Sequence, residues 1–324
     1  MKACVRTVYG EADVLEVREV PAPTPGDREV LVRVRAASND RGVWHMMTGR
    51  PYLMRPVIGL RAPKVAVLGR AFAGVVTEVG AQVTRFRPGD EVFGTNSTGC
   101  WAEYAVAPEK RLASLPPNVS FEQASTVGCS GTSALQAIRD LGRVRAGQRV
   151  LVIGAAGGVG SFAVQIGKSL GATVTGVCST SKIDLVRSIG ADDVIDYTRE
   201  EVDAHGARYD VVVDTAGNRP LSLLQRALTP TGTLVLVGGE ESRGRLLQGF
   251  HRQLFAPLIG IVRRRRMRNL LGTENVADFE ELGRLMTAGS VTPPIVHTYS
   301  LDEAPDAMRY LAEGHPAGKI VITV

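Results

Sequence analysis

Lysine is nearly missing from this chain, cysteine never comes in closely spaced pairs, and no apolar run is long enough to cross a bilayer. Each shortage removes a class of function. Six of the 38 basic residues are Lys (Lys2, Lys64, Lys110, Lys168, Lys182 and Lys319), which leaves 32 Arg behind the net charge of +5. Those arginines are scattered, apart from the run Arg263-Arg264-Arg265-Arg266. A dispersed bias of this kind reflects coding composition, whereas a nucleic-acid surface gathers its cations on one face. The run itself reads as a solvated flank of a subunit edge, with a membrane or nucleic-acid patch as the alternative. Cys4, Cys100, Cys129 and Cys178 contain no C-x-x-C pair, which speaks against a zinc cluster or a disulfide framework and for buried free thiols. No stretch reaches the ~18 apolar residues of a membrane span, and Met1-Lys2-Ala3-Cys4-Val5-Arg6 is charged too early for a secretory signal. A cytoplasmic protein is expected, with nucleic acid and membrane unlikely as partners.

What is present is an ordinary globular composition, 44% apolar and 22% charged over 324 residues, a length that favours two domains. Between Gln148 and Val237 apolar strands at 149–153, 173–178, 193–196, 209–214 and 233–237 alternate with amphipathic stretches. In the first of these stretches Val159, Ala163, Ile166 and Leu170 recur at helical spacing and define one buried face. Runs such as Val211-Val212-Val213 are apolar on both faces, as strands covered by helices must be. Repeated βα units with short turns predict an α/β, doubly wound parallel sheet. Residues 1 to about 115 instead carry short β segments (Val30 to Arg35, Gly74 to Val79, Glu91 to Phe93, Glu103 to Ala107) punctuated by Pro and Gly, a barrel-like pattern. Pro116-Pro117 reads as the boundary. The predicted domains are 1–118, completed by 290–324 through the closing strand 318–324, and 119–289.

The most informative stretch is Val150-Leu151-Val152-Ile153-Gly154-Ala155-Ala156-Gly157-Gly158-Val159-Gly160. A strand that runs into a glycine turn and then a helix delivers free backbone N–H groups and a positive dipole end to one spot, an arrangement suited to a dinucleotide pyrophosphate. Glycine there lets the backbone approach the ligand closely. The spacing is G-x-x-G-x-x-G, with Ala155 where G-x-G-x-x-G would begin, and a turn of this kind can also serve packing alone. Gly154, Ala156, Gly157, Gly158 and Val159 are the candidate cofactor residues.

Together with Val75-Val76-Thr77-Glu78-Val79-Gly80, Arg87-Pro88-Gly89-Asp90-Glu91-Val92-Phe93-Gly94, Gly190-Ala191-Asp192-Asp193-Val194-Ile195-Asp196-Tyr197 and Gly318-Lys319-Ile320-Val321, this turn resembles the medium-chain dehydrogenase/reductases, in their zinc-free quinone oxidoreductase-like (zeta-crystallin-like) branch. The resemblance covers essentially the whole chain. It implies a GroES-like β-barrel catalytic domain, a Rossmann domain, a cofactor cleft between them and a homodimer. Zinc-dependent relatives carry Gly-His-Glu where this chain has Gly69, Arg70 and Ala71, and a guanidinium and a methyl group cannot bind Zn²⁺. No metal is expected. At the end of the second Rossmann strand an NAD site places an acid for the ribose 2′-hydroxyl, whereas Val177-Cys178-Ser179-Thr180-Ser181-Lys182 offers hydroxyls and a cation. Lys182 would attract a 2′-phosphate and Ser179 could donate to it, so NADPH is the expected cofactor; a solvated Lys182 is the plain alternative. The resemblance adds Tyr197 to that phosphate site, Ser133 at a helix start near the cofactor, and Gly217, Val237, Gly238 and Gly239 in loops beside the nicotinamide. Ser133 could equally be only a cap, and the glycines simple turns.

The substrate side departs from the family's Val-Asn-Pro-x-Asp-Trp. Aligned on Trp44, either Asp40 replaces the Asn or a slip of one residue makes Asn39 its equivalent, and Asn39, Asp40 and Tyr52 are the candidate catalytic residues. Trp44 and His45 are further candidates for the pocket. The expected function is NADPH-dependent hydride transfer to a quinone or α,β-unsaturated carbonyl without metal, on a small hydrophobic electron-poor substrate. The alternatives are a zinc-free carbonyl or alcohol oxidoreductase, and a non-catalytic NADPH-binding protein. Residues 267–273 are expected as the final Rossmann strand and the homodimer edge.

Overall fold

The computed structural model describes residues 1–204, 206, 208–238, 252, 256, 260, 266–314 and 316–324. They divide into two compact units, one of residues 1–132, 274–289 and 295–324, the other of 133–273 and 290–294. The first unit runs on to residue 132, beyond the expected boundary at 118. The helix Phe121–Ser125 accounts for this, because it packs on strands of the first unit rather than the second. The helix Val276–Thr287 also packs on the first unit.

Strands are numbered in chain order. In the first unit these are β1 (Lys2–Val5), β2 (Glu16–Glu19), β3 (Glu29–Asn39), β4 (Ala71–Val79), β5 (Glu91–Thr95), β6 (Tyr104–Pro108), β7 (Leu112–Ser114), β14 (Ile295–Ser300) and β15 (Lys319–Thr323). The main sheet runs β14-β15-β3-β4-β5-β7, with β6 also paired to β3. Three of the four predicted β segments fall inside these strands, the fourth starts one residue ahead of β6, and the closing segment does return to the first unit. There β15 pairs antiparallel with β3, Ile320 opposite Asn39. Register shifts in the β3–β4 pair, between Leu31 and Val32 and between Val34 and Ala36, bend the sheet as bulges do. Trp101, Phe72, Met47 and Leu68 fill the space against it, fully buried. Each such side chain contributes roughly 1.5–3 kcal/mol on burial.

The second unit holds one parallel sheet in the order β10-β9-β8-β11-β12-β13. Its strands are β8 (Arg149–Ile153), β9 (Thr173–Cys178), β10 (Asp193–Asp196), β11 (Tyr209–Asp214), β12 (Leu228–Leu236) and β13 (Arg266–Asn269). The sequence pattern located the first five. The helix Gly158–Ser169 buries Phe162, Ala163, Val164 and Ile166; Leu170, expected on that face, falls at its C-cap and is exposed. The predicted edge strand 267–273 is strand only over Arg266–Asn269, and the N–H of Leu270 is turned onto the carbonyl of Leu236 at 2.9 Å. Gly239 and Arg263 to Arg265 lie outside the described residues. Among the described residues no helix is long and apolar enough to cross a membrane.

Candidate functional site

β8 ends in the glycine turn. Gly154 takes φ +78°, a conformation that L side chains rarely adopt. Its N–H and that of Ala155 bond back to the carbonyl of Val177, at 3.1 and 3.0 Å, which pins the turn to the end of β9. Gly157 is the N-cap, and the N–H of Ser161 makes the first bond of the helix, to the Gly157 carbonyl at 2.9 Å. The N–H groups of Gly158 and Val159 therefore precede the helical ladder and are available to an anion. Gly160 faces inward: a Cβ there would stand 2.1 Å from the Gly154 carbonyl oxygen. Gly157 differs, since a Cβ at that position would meet only the same oxygen, at 3.3 Å. A cradle open at Gly157 and closed at Gly160 fits a dinucleotide pyrophosphate, held by the turn from Gly154 through Ala156 to Val159.

Beyond β9 the chain turns through Ser179, the N-cap of the short 3₁₀ turn Thr180–Lys182. This corner is stitched to the end of β10. The N–H of Tyr197 bonds to the Cys178 carbonyl at 3.1 Å, and the Thr180 hydroxyl donates to Asp196 at 2.5 Å. Asp196, the acid of this corner, is buried and also accepts from the N–H and hydroxyl of Thr198. Lys182 is half-buried, and burial lowers its pKa from the ordinary lysine value, opposed in part by the Cys178 thiol. Tyr197 is exposed, with the Arg219 guanidinium 5.1 Å from its ring centroid. Sequence reading passed over Arg219, whose position after β11 carries no local motif.

At the end of β11 the buried carboxylate of Asp214 accepts from the Gly217 N–H at 2.9 Å and from Arg252 at 3.0 Å. The N–H groups of Val237 and Gly238 bond to the Asp214 carbonyl at 2.9 and 3.3 Å, so the two candidate loops share one anchor. A Cβ at Gly238 would lie 2.3 Å from the Thr215 carbonyl oxygen, which makes that glycine a packing requirement. Ser133 is the second residue of the short helix Thr132–Leu135, which follows a π-helical turn, Val127–Gly131; the earlier helix Phe121–Ser125 begins after Ser120, whose hydroxyl accepts from the Gln123 N–H in a capping box.

The first unit puts the catalytic candidates to other work. The Asp40 carboxylate turns away from the helix it precedes and forms a buried ion pair with Lys319 of β15. It also accepts from the hydroxyls of Ser38 at 2.5 Å and Ser130 at 2.7 Å, while Lys319 donates to Ser130 at 2.9 Å. Burial alone would push the Asp40 carboxyl up; the ammonium and these hydrogen bonds outweigh it and hold the group below the ordinary carboxylate range. The carboxylate is thus shared among an ammonium and two hydroxyls. Asn39 is buried and donates to the Ala307 carbonyl at 2.8 Å. The half-buried Tyr52 lies under the Arg55 guanidinium, 4.2 Å from its ring centroid, and Arg55 also covers Tyr9. His45 is buried with Nδ1 2.8 Å from the Arg50 carbonyl, and its ring meets Trp44 edge-on. The three catalytic candidates are thus each engaged with separate partners.

A second cluster in the same unit surrounds Arg70. Its guanidinium pairs with Glu274 at 2.5 Å. Glu274 also accepts from Thr95 at 3.0 Å and lies 3.8 Å from Arg111 and 4.0 Å from the Cys129 thiol. Cys129 is half-buried where the other three cysteines are buried, and desolvation raises its thiol far above the usual cysteine range. Ala71 is buried at the start of β4, where a Cβ on Gly128 would approach its methyl group to 2.8 Å. Gly128 therefore has no room for a side chain. Neither Glu274 nor Cys129 carried a sequence signal, because their partners are far away along the chain.

A parallel sheet with a glycine turn at its switch point, joined to a GroES-like unit, defines a nicotinamide-dependent oxidoreductase fold. Residues 26–117 match the family model "Alcohol dehydrogenase GroES-like domain" and residues 189–322 the model "Zinc-binding dehydrogenase". The chloroplastic quinone-oxidoreductase QR1 of Triphysaria versicolor is 32% identical over 97% of this chain and 95% of its own. The 2-methylene-furan-3-one reductase of Solanum lycopersicum is 30% identical over 99% and 79%. Among solved structures, the quinone oxidoreductase from Coxiella burnetii superposes with TM-score 0.86 at 28% identity, covering 100% of this chain and 99% of that one. The chain belongs to the medium-chain dehydrogenase/reductase superfamily, in its quinone oxidoreductase-like branch. It is an NAD(P)-dependent oxidoreductase.

Proposed function

We propose that this protein is an NADPH-dependent reductase that passes hydride to an electron-poor alkene or quinone without a metal, on a small hydrophobic substrate. The observation that carries the cofactor choice is the corner after β9, where Ser179 and the half-buried Lys182 stand and the acid, Asp196, is already bonded to Thr180 and Thr198. A cation and a hydroxyl favour the 2′-phosphate; Tyr197 adds a phenol at the same corner. Bound there, the cofactor supplies the hydride from its nicotinamide ring, and the chain supplies position and charge. Replacing Lys182 by Glu is expected to weaken NADPH binding by about 1.5–3 kcal/mol, the scale of a charged hydrogen bond, and NADH binding far less. Equal losses in the two titrations would overturn the assignment.

The metal-free part of the reading is supported by the donor chemistry at 70 and 71, a guanidinium and a methyl group. Among the described residues no three His, Cys, Asp or Glu side chains stand together in a way that could hold a metal ion. Elemental analysis is expected to find no stoichiometric zinc, and chelators to leave activity unchanged; one tightly held zinc per chain would refute this. Oxidation of NADPH with a panel of quinones and enones tests the reaction, and binding without turnover on every acceptor would make the protein a binder instead.

As partner we propose a second copy joined through β13, the last strand of the parallel sheet. Light scattering at micromolar concentration should give twice the 34.6 kDa chain mass. A monomeric wild type would sink the idea. A cytoplasmic site of action accompanies this proposal.

A further inference from the structure

Residues 46–65 form an excursion whose two ends meet at one side chain. The buried guanidinium of Arg6, just past β1, donates from Nη2 to the Met46 carbonyl at 2.9 Å and from Nη1 to the Val65 carbonyl at 3.2 Å. Inside, the excursion is built rather than slack. The Tyr9 hydroxyl donates to the Gly59 carbonyl at 2.7 Å, Arg55 Nε to the Gly49 carbonyl at 3.1 Å, and the Lys64 N–H to the Ile58 carbonyl at 2.9 Å. Gly59, at φ +127°, has no space for a Cβ, which would stand 2.0 Å from the Ala62 carbonyl oxygen. Yet this scaffold holds aliphatic side chains out in water: Leu53 is 55% exposed, Val57 75% and Leu60 69%. Leu53 and Val57 are four residues apart in the successive turns Tyr52–Met54 and Arg55–Ile58, a spacing that puts them on one side. Val8, 54% exposed, precedes the Tyr9 that closes the excursion. Four of the seven large hydrophobic side chains exposed among the described residues gather in this corner, where a scattered few would need no explanation.

Charge in the same stretch has one sign. No Asp or Glu lies between Asp40 and Glu78, whereas Arg41, Arg50, Arg55, Arg61, Lys64 and Arg70 do. Arg50 is paired with Glu11 at 2.9 Å, Arg55 lies over Tyr9 and Tyr52, and Arg70 is taken by Glu274. Arg61 and Lys64 are exposed, and neither has an ion-pair partner among the described residues. We propose that residues 53–64, with Val8, dock on an anionic phospholipid surface, Leu53, Val57 and Leu60 entering the headgroup layer while Arg61 and Lys64 bind lipid phosphates. Exposed aliphatic side chains beside unpaired cations are what a lipid interface selects, since affinity there grows with apolar area and with each nearby cation. Protein interfaces select otherwise: Lys is depleted in them, and Leu and Val are under-represented among the residues that carry their energy. A second copy set two-fold on this face would bring like charges together. Attachment of this kind lies on the bilayer and needs no spanning helix. Chain-wide dispersion of arginine argues against a membrane; the acid-free stretch from 41 to 77, with its exposed aliphatics, is a local exception.

The test sediments the full chain with vesicles of phosphatidylglycerol and phosphatidylcholine in equal parts, and with vesicles of phosphatidylcholine alone. Wild type should pellet with the mixed vesicles and far less with the neutral ones, and added salt should release it as charges are screened. Val57→Ser/Leu60→Ser should lose about tenfold or more in affinity for the mixed vesicles. Arg61→Gln/Lys64→Gln should lose about 25-fold, from about fivefold per cation near an anionic surface. All four positions are exposed, so thermal unfolding of both double variants should match wild type. Wild type that stays in the supernatant of the mixed vesicles at low salt would overturn the proposal, and so would pelleting that both double variants keep in full. Poly-glutamate stands in for an acidic protein; wild type binding it as tightly as the mixed vesicles would make the partner a protein and defeat the membrane. Light scattering that finds Val57→Ser/Leu60→Ser monomeric beside a dimeric wild type would assign the face to a second copy, and defeat it too.

Discussion

Lys319→Met is expected to lose about 3–5 kcal/mol of stability in denaturant unfolding, the cost of stranding a buried charge. The ammonium of Lys319 and the carboxylate of Asp40 are both buried, at 2% and 7% side-chain accessibility, and each is the other's counter-ion. Removing the cation leaves Asp40 with two serine hydroxyls and no positive charge. The double variant Asp40→Asn/Lys319→Met removes both charges and should recover most of the loss, since replacing a whole buried pair is far cheaper than breaking one. A single variant within about 1 kcal/mol of wild type would show that water reaches the pair. The pH dependence has a fixed sign. Asp40 titrates below its unfolded value, so the stability it confers is present above the ordinary carboxylate range, near pH 3.9, and is lost as pH falls through the folded value. Unfolding free energy should therefore fall steeply on acidification in wild type and less steeply in Asp40→Asn.

Gly160→Ala should weaken nicotinamide cofactor binding about tenfold or more and lower stability by about 1–3 kcal/mol, the cost of forcing a methyl group into packed backbone. Its Cβ would meet the Gly154 carbonyl oxygen at 2.1 Å and the Ala155 Cα at 2.9 Å, both backbone, so the helix must lift off the turn. Gly157→Ala separates packing from binding. Its φ of −79° suits any residue and its Cβ would have room, so stability should hold within about 0.5 kcal/mol of wild type. The added methyl still occupies the N-cap of the cradle, and cofactor affinity should fall. Titration calorimetry and thermal unfolding on the two variants decide this, and a Gly157→Ala protein that binds as well as wild type would move the phosphate elsewhere.

The parallel sheet and the glycine turn were legible because their signals are local. Strands buried on both faces are continuous apolar runs, and a turn of three glycines announces close backbone approach. The short β segments of the first unit were legible for the same reason. What escaped were pairings across the chain. Asp40 and Lys319 are separated by 279 residues, and Arg70 and Glu274 by 204. No periodicity marks a residue whose partner lies that far away, so the ion pair of Asp40 with Lys319 could not be read ahead of the structure. Arg70 was noticed for what it lacks as a metal ligand, and its own positive chemistry was visible only once Glu274 stood beside it. One local signal was passed over: Ser120 and Gln123 spell a capping box, which opens the helix Phe121–Ser125. The π-helical turns that follow have no sequence signature of comparable strength.

β15 lies between β14 and β3, so the last strand made is an interior strand of the first unit's sheet. During synthesis the chain emerges N-terminus first, at about 5–20 residues per second. Residues 133–273 can thus gather into their own sheet while the unit that precedes them still lacks β14 and β15. Throughout that interval Asp40 has no ammonium beside it, and β3 shows the ribosome's surroundings an edge that Ile320 and Ile322 will later cover. The order of manufacture is therefore the reverse of the order of closure: the half of the protein born first is finished last.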